Sequence, residues 1–172
     1  MDDPWIKDLT KSNALFVNAV WPVLEPLLAA SLGRGKLMPV EILQHNTMAI
    51  ELDKECGMDF LYRVEGRGVV GIASRVQSGE KYWGTFTVRK SRPSGARTEY
   101  VKRREALDSG EFLTPGLTCQ AYCDNNGNLL GGGIASTRDV VDAVDDNCTN
   151  WNGGVEFFVV HFERVARITT FP

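Results

Sequence analysis

The chain has 172 residues, a formal net charge of −3, 43% hydrophobic residues and 24% charged residues, which suffices for one globular domain with a sizeable core. The acidic start MDDPW argues against a secretory leader, and the absence of repeats or low-complexity tracts argues against a solenoid or a disordered chain. Cys56, Cys119, Cys123 and Cys148 form no CxxC pair and neither His45 nor His161 adjoins one, so a structural zinc site is disfavoured and reduced thiols in a cytoplasmic protein are the expectation.

In chain order, Asp3-Pro4 reads as an N-cap and first helical residue for a short helix over about 4–10. Ser12 caps a second, strongly apolar helix over about 13–31. Pro22 and Pro26 should kink or divide it, and Gly33 and Gly35 end it. Asn18, Glu25 and the two prolines argue for a buried helix rather than a membrane span. Residues 47–53 alternate as a half-buried strand. A hairpin follows over 58–77, then an aromatic and β-branched strand over 82–90, a loop at 91–98 and a basic helix from Thr98 to about Ser109. LTCQAYC at 117–123 is a strand, DNNGN a turn, and 129–135 the return strand. Ser136 and Asp139 have capping-box spacing and open a helix over about 137–146. The apolar run 155–165 reads as a long central strand. The expected fold is therefore a single α/β or α+β domain over 1–172, with N-terminal helices packed on a mixed sheet.

The charge is segregated. Residues 63–104 hold eleven Lys and Arg against three Glu, so +8, and the remainder of a −3 chain carries −11. Such a segment can present a surface to an anionic partner; a solvated basic face is the plain alternative.

The hairpin GMDFLYRVEGRGVVGIASRVQ places Asp59, Leu61 and Arg63 on one face of its first strand. Val69, Gly71, Ala73, Arg75 and Gln77 share a face on its second. If Gly66-Arg67-Gly68 is the whole loop, Asp59 lies directly opposite Arg75, and this register is the expected one. A strand bearing an acid, a turn, and a strand bearing a charged residue two beyond another position resembles the PD-(D/E)xK nuclease superfamily. The resemblance spans roughly 12–90 by element order. It implies a restriction-endonuclease-like fold and Mg²⁺-dependent phosphodiester cleavage. Asp59 matches the first acid and metal ligand, Arg75 the basic position and Glu25 the helix glutamate. Ala73 stands where the second acid belongs, so the site is one carboxylate short. Gln77 could ligate through its carbonyl, and Glu51 or Asp53 could supply a migrated carboxylate. Arginine stabilises phosphoryl charge but cannot act as a base.

The stretch 85–104 adds Thr85, Thr87 and Arg89 on one strand face, then SRPSGAR, then the basic helix. Arg89, Lys90, Arg92, Arg97, Lys102 and Arg103 are candidates to grip phosphates of DNA or RNA. Tyr82, Trp83 and Tyr100 could stack bases, although Trp83 and Phe86 read better as core. DNNGN lacks the glycine spacing of a calcium loop, Gly131–Gly133 matches no phosphate-loop pattern, Asp139, Asp142, Asp145 and Asp146 read as a solvated helix face, and His161 as a core histidine. The leading expectation is a nucleic-acid-binding protein with a nuclease-like, degenerate metal site. The alternative is a non-catalytic module that binds a small ligand or pairs with protein, a homodimer included.

Overall fold

A computed structural model describes residues 11–40, 56–110 and 113–172. The short helix expected over 4–10, the strand expected over 47–53, and His45, Glu51 and Asp53 lie outside the described residues.

Helix α1 runs Lys11–Leu32 and is long and apolar enough, by length and composition, to cross a membrane. In the fold one stripe of it packs on the sheet, and most of its other residues are exposed or half-buried. Asn13, Phe16, Val20, Leu24 and Leu28, spaced by three and then four, form its buried stripe. The Phe16 ring stacks on Phe60 at 4.5 Å and Trp21 tilts against Tyr62 at 5.5 Å. Pro22 and Pro26 do not divide it. A π-turn over Phe16–Val20, closed by the Trp21 N–H on the Phe16 carbonyl, precedes Pro22. Its wider rung lets the chain continue although each proline lacks a donor. Ser12 is inside this helix rather than its cap.

Among the described residues six strands build the main sheet: β1 (Gly35–Pro39), β2 (Phe60–Val64), β3 (Gly68–Ser78), β5 (Leu117–Cys123), β6 (Leu129–Ser136) and β9 (Thr169–Phe171), in the order β1-β2-β3-β5-β6-β9. Only β3 and β5 pair in parallel; the other neighbours are antiparallel. A second sheet, in the order β4-β8-β7, holds β4 (Thr85–Arg89), β7 (Thr149–Asn152) and β8 (Val155–His161). Helices α2 (Glu99–Ser109) and α3 (Thr137–Asp142) complete the described elements, with a 3-10 turn at Phe162–Arg164. The protein is thus mixed α+β, with a mixed sheet covered by α1 on one face and by the second sheet and two short helices on the other.

Strand alternation explains this layering. Cys119, Ala121 and Cys123 of β5 join Phe60, Tyr62, Ile72 and the α1 stripe in one core cluster. Tyr122 joins Phe86, Val88, Phe158, Val160 and Phe162 in the other. Polar side chains clip the two sheets together. The Tyr122 hydroxyl donates to the Thr85 carbonyl at 2.6 Å and accepts from the Thr85 N–H at 3.2 Å.

Several elements differ from expectation. The 155–165 run is a strand only to His161, central in the small sheet, and β7 pairs with it through Gly153-Gly154. His161 is exposed at the strand end, not in the core. Trp83 is 59% exposed, with the Lys81 ammonium 3.7 Å above its ring, whereas Phe86 is fully buried. The third helix stops at Asp142; Ser136 caps it, its hydroxyl accepting from the Asp139 N–H at 3.0 Å. Asp139, Asp142 and Asp145 pair with Arg167, Arg104 and Arg164, so this face is laced by ion pairs.

Candidate anion-binding cavity

The hairpin register differs from the expected one. Val64 pairs with Gly68 and Phe60 with Ile72, so the loop is Glu65-Gly66-Arg67. The Arg67 N–H bonds the Val64 carbonyl at 3.3 Å, and Gly66 takes the positive φ (68°) that the third position of this tight turn requires. Gly68, expected in the loop, opens β3. The change slides the partner by two residues. Asp59 continues the register toward Ala73 rather than Arg75, but parity is kept, so Asp59 and Arg75 point to the same side.

At this point β2 begins and β3 runs on to pair with β5. The Asp59 Oδ2 accepts from the Ser74 N–H at 2.6 Å, taking a place a backbone carbonyl would fill in a longer ladder. Beside it lies a cavity of about 500 Å³, walled by β3, β4, β5 and α2. Arg75 and Gln120 are register partners on β3 and β5, so both side chains leave the sheet toward β4. Thr87 of β4 meets them. Its hydroxyl donates to Gln120 Oε1 at 3.1 Å and accepts from Arg75 Nη1 at 3.1 Å, and its N–H also reaches Gln120 Oε1 at 3.3 Å.

Glu99, in the first turn of α2, organises the cations. Its Oε1 lies 2.6 Å from Arg103 Nη2, one helical turn on, and its Oε2 lies 3.1 Å from Arg75 Nη2. The Arg89 N–H approaches Oε2 at 3.4 Å. Burial alone would raise the Glu99 pKa. The charges of Arg103 and then Arg75, with the Arg89 N–H, outweigh it and hold the carboxylate below its ordinary value. Arg89 is shifted downward. Burial, then the like charges of Arg75 and Arg92, lower its pKa from the ordinary value, with Glu99 opposing. The Phe157 ring lies 5.1 Å from the Arg75 guanidinium and 5.8 Å from that of Arg89 and supports both.

Two features define what this cavity can do. First, among the described lining residues the four arginines Arg75, Arg89, Arg92 and Arg103 outnumber the carboxylates of Asp59 and Glu99 by two. Second, donors on its wall lack acceptors. Arg103 is 3% exposed and Gln120 1% exposed. Arg103 Nε and Nη1, Gln120 Nε2, Arg89 Nε and the Ser74 hydroxyl are buried with no hydrogen-bond partner. Each such orphan costs about 1–3 kcal/mol unless an acceptor arrives.

Of the expected site residues, the structure brings Asp59, Arg75, Arg89, Arg92, Lys102 and Arg103 to this one cavity. It does not bring Glu25, which is exposed on α1 and acts at Tyr62, whose pKa is raised by burial and then by Glu25 and Glu65. Gln77 lies further along β3, opposite Tyr122, away from the cavity. Lys90 pairs with Glu156 at 3.2 Å, and Arg97 with Glu105, both outside the cavity lining. Among the described residues no three His, Cys, Asp or Glu side chains are grouped to hold a metal ion. The positive field around Asp59 fits an anion better than Mg²⁺. Thr87, expected beside Arg89 on one strand face, is in the cavity; Glu99 and Gln120 organise it too but were not expected there. Glu99 carried a signal as one of three acids in the cationic segment, and Gln120 as a lone amide in the apolar strand LTCQAYC.

Fold and cavity together define an α+β protein with a cationic cleft between two sheets. No family model, curated protein or solved structure matches the chain.

Proposed function

We propose that the protein is a binding module for a small anionic ligand, held in the cavity between β3, β4, β5 and α2. The observation that carries this reading is the pair of almost fully buried side chains, Arg103 and Gln120, with donor atoms lacking acceptors in a cleft of net positive charge. An anion supplies acceptors and charge together, so its binding removes two penalties at once. Calorimetric titration with phosphate, pyrophosphate and a dicarboxylate is the test. Saturable one-to-one binding by at least one is expected; no heat and no stabilisation by any of them would rule the reading out.

A second reading is a nucleic-acid-binding protein that cleaves phosphodiesters. Asp59 and Arg75 on one cavity wall, with exposed Arg92 at its mouth, favour it. Against it, Lys90, Arg97 and Arg104 of the basic segment are already paired with carboxylates, which leaves a short track for a polyanion. Oligonucleotide binding at two salt concentrations separates the readings. A phosphate-tracking protein loses affinity steeply with salt, and cleavage that depends on added Mg²⁺ and is lost in Asp59→Asn would establish the second.

A further inference from the structure

The chemistry of the cavity wall narrows the ligand class, resting on the anion-binding reading above. The partnerless polar atoms are one-sided. Arg89 Nε, Arg103 Nε and Nη1 and Gln120 Nε2 can only donate, and the Ser74 hydroxyl can donate as well. The acceptors nearby are engaged: Glu99 by Arg103 and Arg75, Gln120 Oε1 by Thr87, and Asp59 by the Ser74 N–H. The group that enters must therefore be rich in acceptors and carry no hydrogen to donate at that point. Arginines in excess of carboxylates by two match a dianion better than a single carboxylate or one phosphodiester. A terminal phosphoryl group meets all three demands, with about two negative charges and three strong acceptor oxygens.

The rest of the cavity speaks to what the phosphoryl group is attached to. At about 500 Å³ it is larger than an inorganic phosphate needs and lies in the range of small-molecule sites. Among the described lining residues there is no aromatic ring and no large aliphatic side chain. The rings beside it back the wall rather than line it: Phe157 lies 5.1 Å from the Arg75 guanidinium and 5.8 Å from that of Arg89, and Tyr100 packs on Phe158 at 4.7 Å. Among the described lining residues a nucleobase would find no ring, and an acyl chain no large aliphatic side chain, to pack against. Hydroxyls and amides line the wall instead, from Ser12, Ser74, Thr87, Thr118 and Gln120.

We infer that the ligand is a phosphomonoester of a small polyhydroxylated molecule, a sugar- or polyol-phosphate, with its phosphoryl group on Arg103, Arg89 and Gln120.

The test is calorimetry on the full chain with a panel of hexose, pentose and glycerol monophosphates. Inorganic phosphate, a nucleoside monophosphate and the unphosphorylated sugars serve as comparators. At least one sugar- or polyol-phosphate should bind tenfold or more tightly than inorganic phosphate and the nucleotide, and the free sugars should not bind. Arg92→Ala, at the exposed mouth of the cavity, should weaken that ligand several-fold while the circular dichroism spectrum stays unchanged. Gln120→Glu, which places a carboxylate against the phosphoryl group, should abolish its binding in folded protein. Equal binding of inorganic phosphate, or tighter binding of the nucleotide, overturns the polyol assignment and leaves anion binding standing. Binding of dicarboxylates alone overturns the phosphoryl assignment. Failure of every anion overturns both.

Discussion

Replacing Glu99 by Gln separates what the cavity does for the fold from what it does for a ligand. The carboxylate is the counter-charge for Arg103, which is 3% exposed, and for Arg75, whose side chain is 27% exposed. Breaking a fully buried ion pair costs about 3–5 kcal/mol because one charge is left uncompensated. The Glu99 side chain is 20% exposed, and glutamine keeps one acceptor, so a cost of about 2–4 kcal/mol is expected. For a chain of this size each kcal/mol moves Tm by about 2–4 °C, so thermal denaturation should fall by roughly 5–15 °C. The same change raises the positive excess of the cavity, so an added anion should restore more stability to Glu99→Gln than to the wild type. The assay is thermal melting of both proteins in chloride and in phosphate at matched ionic strength. The sign with pH is fixed by the depressed Glu99 pKa. Its stabilisation is present above the ordinary carboxylate value of 4.5 and is lost as pH falls through the lower folded value, so the gap between the two proteins should close in that acid range. An unchanged Tm, or equal recovery in phosphate, would refute the assignment of Glu99 as the internal counter-anion.

Four further outcomes test the scaffold. Tyr122→Phe removes the hydroxyl that ties β4 to β5 through Thr85 and should cost about 1–3 kcal/mol in urea denaturation. Phe16→Ala empties a fully buried site stacked on Phe60 and should cost about 3–5 kcal/mol by the same measurement. Gly132→Ala would place a methyl 2.5 Å from the Phe171 ring and 2.7 Å from the Gln120 carbonyl, so it should destabilise by about 1–3 kcal/mol and loosen β9, seen as faster amide exchange at Thr169 and Thr170. Arg97→Ala breaks an ion pair whose side chains are about half exposed; stability should stay within about 0.5 kcal/mol and phosphate affinity should not change.

Periodicity carried much of this fold. The run LTCQAYC after Pro115-Gly116 identified β5 with its bounds, and the helix expected from Thr98 to about Ser109 is α2, with Thr98 its extended N-cap. Short edge strands left no such mark. GKLMP of β1 and TTF of β9 are strands only because longer neighbours offer them hydrogen bonds, and TNWN of β7 is polar and largely exposed. The hairpin shows a finer limit. Gly66 and Gly68 both take positive φ, so glycine alone could not say which one turned the chain, and the choice moved the partner of Asp59 by two residues. Parity survived that error, which is why Asp59 and Arg75 still meet on one cavity wall. Glu99 and Gln120 were harder to assign, since their meeting with Thr87 depends on how the small sheet docks on the large one, a non-local packing outcome that no spacing encodes.

The most direct measurement is NMR of the arginine Nε–H and glutamine side-chain amide groups during titration with phosphate. Saturable shifts confined to Arg89, Arg103, their cavity neighbours and Gln120, with Arg97 and Arg138 unmoved, are the expected result. Equal small shifts at every arginine, or none at Arg103 and Gln120, would contradict the claim that these buried donors form an anion site.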